Sequence, residues 1–181
     1  MIWARCVAET GCLMMTWMSK PMIPDFEDML TLFDKHGVKC LVIGGLAFVF
    51  HVKPRYTKDM DVWVGCDPEN LRKVNLALAE FGSPQLLDIN RDDQVLQVGV
   101  APNRIDILTH VDGPVFEDAW SRRIRATYGK APVNWIDLDG LLDIKARIDD
   151  PRHQLDVKYL RKVKEMKKQA PLKKSGEVKE K

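Results

Sequence analysis

The sequence lacks any run approaching the roughly 18 uninterrupted apolar residues that a membrane-spanning helix requires. That excludes a helical span and leads us to expect a soluble chain without membrane contact. Cysteine is scarce and unpatterned. Cys6, Cys12, Cys40 and Cys66 show none of the C-x-x-C or Cys/His spacings of zinc and redox sites, so they read as reduced, mostly buried thiols. A basic leader followed by an apolar core is missing too, because Glu9 interrupts the first twenty-odd residues, and cytoplasmic residence is the expectation. No internal repeat is visible, and no sign of charge dominates: 28 Lys and Arg stand against 26 Asp and Glu. The distribution is uneven, however. Residues 161–181 hold nine Lys/Arg against three Glu, leaving the rest of the chain net negative. Such a tail serves either as a solvated end or as a surface for RNA or another polyanion.

A chain of 181 residues fits one domain, or one domain with a small helical appendage, and can bury a core without disulfides or structural metal. Residues 1–23 hold five of the eight methionines with no clean period, and read as an ill-ordered leader. A main domain is expected over 24–136, two helices packed on it over 137–168, and a basic disordered tail over 169–181. Within the main domain, Asp25 is placed to cap a helix whose stripe is Phe26, Met29, Leu30 and Phe33, with Gly37 at its end. Val38–Ile43 reads as a buried strand, Gly44–Gly45 as a tight turn, and LAFVFHV as a short buried helix. KDMDVWV is the next strand. Asp67 and Pro68 open a helix with the stripe Leu71, Val74, Leu78 and Phe81, closed by Gly82. Strand-like pieces follow at QLLDI, QVLQVGV and NRIDILT. After them come a short helix at PVFEDAWSRR, extended segments at RIRATYG and PVNWI, and helices over about Leu138–Ile148 and Arg152–Lys168. This order indicates an α+β fold, or α/β with a mixed sheet, rather than a doubly wound parallel sheet.

The strand KDMDVWV carries the chemical interest, because aspartate is a poor strand former and here there are two. Alternation puts Asp59, Asp61 and Trp63 on one face and Met60, Val62 and Val64 on the other. In NRIDILT, Arg104, Asp106 and Leu108 share a face. Two bare carboxylates about 4 Å apart repel by roughly 4 kcal/mol at an effective dielectric of 20, and a divalent cation reverses that sign. A D-x-D on its own equally describes a solvated sheet face, with Asp106 capping a turn. The order of strand, Gly-Gly, short helix, D-x-D and later strand Asp is far more demanding. His51 and His110 form no ligand pair and read as neutral, hydrogen-bonded side chains. Trp63 suits either core or a pocket wall, and Asp137, Asp139 and Asp143 suit the dipole of the helix they open.

That order resembles the DNA polymerase beta-like nucleotidyltransferase superfamily. Gly44 and Gly45 match its glycine element, Asp59 and Asp61 its first two carboxylates, and Asp106 its third. RYTKDMD, Arg55 to Asp61, is similar to the R-x-T-x-D-x-D of small bacterial members: minimal nucleotidyltransferases, abortive-infection toxins, and lincosamide or aminoglycoside nucleotidyltransferases. LLDIKARIDDPRHQLDVKYL is similar to their helical ending, and the resemblance spans about Asp25 to Val163. Many members have Ser after the first glycine, where Gly45 here offers only its backbone N–H.

The resemblance implies a nucleotidyltransferase-like mixed sheet flanked by helices with a C-terminal helical segment, residues 24–136 being the catalytic part. It implies transfer of a nucleoside monophosphate from a nucleoside triphosphate to a hydroxyl, with release of pyrophosphate. Asp59, Asp61 and Asp106 would be both catalytic and metal-holding, with magnesium, or manganese in its place, as the ion and Asp106 taking the proton of the attacking hydroxyl. Gly44, Gly45, Arg55, Thr57, Lys58 and Lys145 would bind the nucleotide, such as ATP. The acceptor is a small molecule, a protein or RNA, and a companion toxin or antitoxin protein is a further implied partner. A non-catalytic, antitoxin-like binding protein that keeps the fold is the alternative.

Overall fold

In the computed structural model of the chain, residues 22–169 are described. The expected leader up to residue 21 and the expected tail beyond Gln169 lie outside them. Helix α1 (Pro24–Lys35) buries Phe26, Met29, Leu30 and Phe33, the stripe its spacing predicts. Its start differs from the expectation. Asp25 does not cap it; Ile23 is the N-cap residue, and Pro24 takes the first helical position, where a missing N–H loses nothing. Gly37, at φ +64°, turns the chain into β1 (Cys40–Val42). This strand is shorter than Val38–Ile43, because Val38 N–H is taken by Phe33 O and Ile43 caps the following helix. Gly44 and Gly45 are the first residues of α2 (Gly44–His51) rather than a separate turn.

Strand β2 (Asp59–Val64) and helix α3 (Pro68–Phe81) follow, the helix capped by Asp67, whose carboxylate accepts from Asn70 N–H at 2.9 Å, and closed by Gly82 at φ +89°. The expected strand at QLLDI is absent. Its backbone is served instead by side chains: Asn75 bonds both N–H and C=O of Leu87, and Gln94 bonds N–H and C=O of Asp88. The remaining elements are β3 (Val95–Val98), β4 (Arg104–Leu108), α4 (Phe116–Ser121), β5 (Ile124–Tyr128), β6 (Ala131–Trp135), α5 (Leu138–Arg147) and α6 (Pro151–Gln169).

The six strands form one mixed sheet in the order β3-β4-β2-β1-β6-β5. β2 runs antiparallel to β1 and parallel to β4, and the latter pairing sets Asp59 opposite Arg104 and Asp61 opposite Asp106. Helices α1 and α3 pack on each other, as do α2, α5 and α6. Trp135 is fully buried in the core, with Phe50 stacked on it at 4.7 Å. Trp63 is core as well, donating its indole N–H to Thr109 O and meeting Phe116 edge-on. Cys40 is buried, and burial pushes its thiol up to about 12, which makes it inert; Cys66 is exposed.

Buried Asn70 staples α3 to the far end of the β1–β2 pair. It accepts from Lys39 N–H at 2.7 Å and donates to Lys39 O and Gly65 O at 3.0 and 2.8 Å. Asn70→Ala strands backbone groups in a dry place, and should lower the unfolding free energy in urea by about 2–4 kcal/mol. A loss below about 0.5 kcal/mol would show that the staple carries no net stability.

Candidate active site

The register between β2 and β4 brings the three strand carboxylates to one face of the sheet. Asp61 and Asp106 are direct neighbours across it, and Asp59 lies two register positions along, the next residue of β2 on that face. Burial, then the charges of Asp59 and Asp106, push the Asp61 carboxyl up to about 6; the Gly45 backbone N–H and the Lys145 charge pull the other way. Arg104 enters the same group. One of its guanidinium nitrogens donates to Asp106 Oδ2 at 2.7 Å and stands 3.6 Å from Asp59 Oδ2. The other oxygen of Asp106, Oδ1, is buried without a partner. Among the described residues no three His, Cys, Asp or Glu side chains stand as a ready metal-holding group, the guanidinium of Arg104 lying against Asp59 and Asp106. Three neighbouring carboxylates with an orphaned oxygen nonetheless suit a hard divalent cation, since oxygen donors are what such ions take.

The glycine pair is shaped by this acidic face. At Gly44, φ +62° disfavours any side chain, and a Cβ would lie 1.8 Å from Asp61 Oδ2. At Gly45 a Cβ would lie 2.5 Å from Thr57 Oγ1, so the volume a serine would need is filled by Thr57. The departure from the Gly-Ser pattern therefore has a steric counterpart within the chain. Thr57 in turn bonds Asp59, reaching its Oδ1 at 3.2 Å and its carbonyl at 3.3 Å.

Behind the glycines lies a second charged group that the sequence did not assemble. Asp156 of α6 is almost fully buried and accepts from Lys145 Nζ of α5 at 2.9 Å; both oxygens also face the Arg55 fork at 3.1 Å. Arg55 covers the Phe48 ring at 4.6 Å, and Lys145 lies 6.0 Å from the same ring. Two cations on one carboxylate leave an excess positive charge next to the acidic trio. Lys145, buried at 2% exposure, is thus no solvated helix lysine.

The other residues singled out in the sequence make none of these contacts. Lys58 is exposed just before β2. His51 is buried on Ile136 O at 2.7 Å, and burial lowers its pKa to about 4, so it stays neutral. His110 pairs at the surface with Asp112. Asp137 caps α5 by accepting from Gly140 N–H. Arg104 and Asp156 are the residues that reading the sequence missed. The R-x-D spacing did put Arg104 on the Asp106 face, but its place opposite Asp59 depends on a strand pairing that spacing alone does not reveal.

No protein-family model and no curated protein matches the chain. Solved structures do. The solution structure of the antibiotic-resistance factor ANT(2'')-Ia aligns with 12% identity and a TM-score of 0.50, over 80% of this chain and 88% of that one. Its crystal structure in complex with adenylyl-2''-tobramycin aligns at 12% and 0.50, over 79% and 92%. The lincomycin-bound lincosamide antibiotic adenylyltransferase LnuA aligns at 16% and 0.49, over 77% and 96%. The fold is accordingly nucleotidyltransferase-like: a mixed sheet flanked by helices, with a helical C-terminal segment, as the sequence resemblance implies. Among the described residues no helix is long and apolar enough to cross a membrane.

The raised Asp61 carboxyl has a sign that can be tested in metal-free protein. Below about pH 4 it is protonated in both folded and unfolded chains. As pH rises through about 6 the folded protein must give up a proton that the unfolded chain has already lost, so stability falls. The shift corresponds to about 3 kcal/mol at pH 7. Asp61→Asn should therefore stabilise the chelator-treated protein at pH 7 by up to about that amount, with the gain gone below pH 4. Thermal melts from pH 3.5 to 8 check this, and a gain that does not vary with pH contradicts it.

Proposed function

We propose that this chain is a metal-dependent nucleotidyltransferase that moves a nucleoside monophosphate from a nucleoside triphosphate to a hydroxyl. The observation that carries the reading is the in-register meeting of Asp61 and Asp106 beside the Gly44–Gly45 backbone. Asp59, Asp61 and Asp106 are the residues that would hold magnesium. When bound, that ion supplies charge neutralisation for the triphosphate and favours attack on the α-phosphorus.

The chain's own groups divide the remaining work. The bare glycines that open α2 would let the phosphates approach the backbone there, where the Gly45 N–H serves Asp61. Arg55 and Lys145 supply positive charge toward the phosphates, with Asp156 holding both heads in place. Thr57 steadies the Asp59 carboxylate, and Lys58 offers a further cation at the rim. Asp106 Oδ1 takes the proton of the acceptor hydroxyl as its oxygen bonds to the α-phosphorus and the bond to pyrophosphate breaks. Residues 24–136 form the catalytic unit, and helices 137–168 complete it with Lys145 and Asp156. ANT(2'')-Ia has been solved with adenylyl-2''-tobramycin, so a hydroxylated small molecule is the first acceptor class to try.

The test uses the full chain with magnesium and each α-labelled nucleoside triphosphate, with acceptor panels of hydroxylated antibiotics, RNA and protein. Binding of a non-hydrolysable nucleotide is measured alongside. Label transfer with stoichiometric pyrophosphate is expected, falling by at least about a thousandfold in folded Asp106→Asn. Absence of magnesium-dependent nucleotide binding in the unaltered chain would remove the enzyme reading and favour a binding protein that keeps the fold.

A further inference from the structure

Among the described residues Arg104 is the cation paired within the acidic group, and its position is specific. It belongs to β4, two residues before Asp106 and directly across from Asp59. A single guanidinium nitrogen addresses Asp106 Oδ2 at 2.7 Å and Asp59 Oδ2 at 3.6 Å. An ion shared by those two carboxylates would need the same ground. Nε of Arg104 is buried without a partner, so the guanidinium is held by these acids rather than by bonds of its own elsewhere. Its side chain is still about one-third exposed, which leaves it a way out toward solvent.

We propose that Arg104 is a built-in counter-cation: it holds the acidic face together in the metal-free protein, and a divalent ion binds only by displacing its guanidinium from between Asp59 and Asp106. This rests on the reading that the aspartate trio is a metal site. The residue is a positioning group in one state and a competitor in the passage to the other. With it in place the four side chains sum to two negative charges rather than three, so like-charge repulsion is reduced without any ion from solution. Removing the guanidinium raises that repulsion and frees the ground the ion needs, so metal-free stability and metal affinity should move in opposite directions. A residue that merely buttressed the fold would lower both.

Mn2+ binding to the full chain, measured by electron paramagnetic resonance and calorimetry without nucleotide, tests this in the unaltered protein, Arg104→Gln and Arg104→Lys, with melting temperature recorded in chelator. Arg104→Gln should bind Mn2+ at least fivefold more tightly, melt lower in chelator and recover more on adding the ion; Arg104→Lys should lie between the two. Equal or weaker Mn2+ affinity in folded Arg104→Gln overturns the competition and makes Arg104 an orienting partner of Asp106. Should no protein bind Mn2+, including one with Arg104 replaced, the metal site itself fails and this inference fails with it. The two failures are therefore distinct.

Discussion

Like charge confined to a half-buried sheet face is the constraint on which the rest of this protein turns. Asp59, Asp61 and Asp106 come from two strands that lie side by side, and burial first, then the charges of its two neighbours, raises the carboxyl of Asp61. Each surrounding feature answers that charge. Gly44 yields its side-chain volume to Asp61, Gly45 yields its own to Thr57, Thr57 bonds Asp59, and Arg104 supplies the opposing sign. A packed apolar core alone would have no reason to gather these groups.

The second charged group reverses the arrangement, with one buried carboxylate between two cations. Asp156 is a costly residue to bury, and the Arg55 fork together with Lys145 makes it tolerable. Because Arg55 comes from the segment before β2, Lys145 from α5 and Asp156 from α6, this cluster also fastens the C-terminal helices to the sheet. The two groups lie close enough for Lys145 to act on Asp61. Negative and positive regions thus adjoin.

Much of this was legible before any coordinates. Helix stripes such as Phe26, Met29, Leu30 and Phe33, and terminators such as Gly82, were set by periodicity and turn chemistry and recur in the structure. The D-x-D and the later Asp could be put on strand faces by alternation alone. What local pattern could not supply was pairing across distance. Arg104 meets Asp59 only because β2 and β4 run parallel, and Lys145 is buried only because α6 returns with Asp156. The failed strand at QLLDI has the same root: its apolar residues suited a strand, but Asn75 and Gln94 took its backbone groups before any neighbour could.

The parallel alignment of β2 and β4 has a thermodynamic corollary. Asp59 and Arg104 are 45 positions apart in the chain, joined through α3 and β3, so an extended polypeptide contains no cluster of acids of this kind. Unfolding leaves only the Asp59–Asp61 pair together and parts it from Asp106, so any attraction the assembled trio has for a divalent ion would be created by folding and would favour the native state.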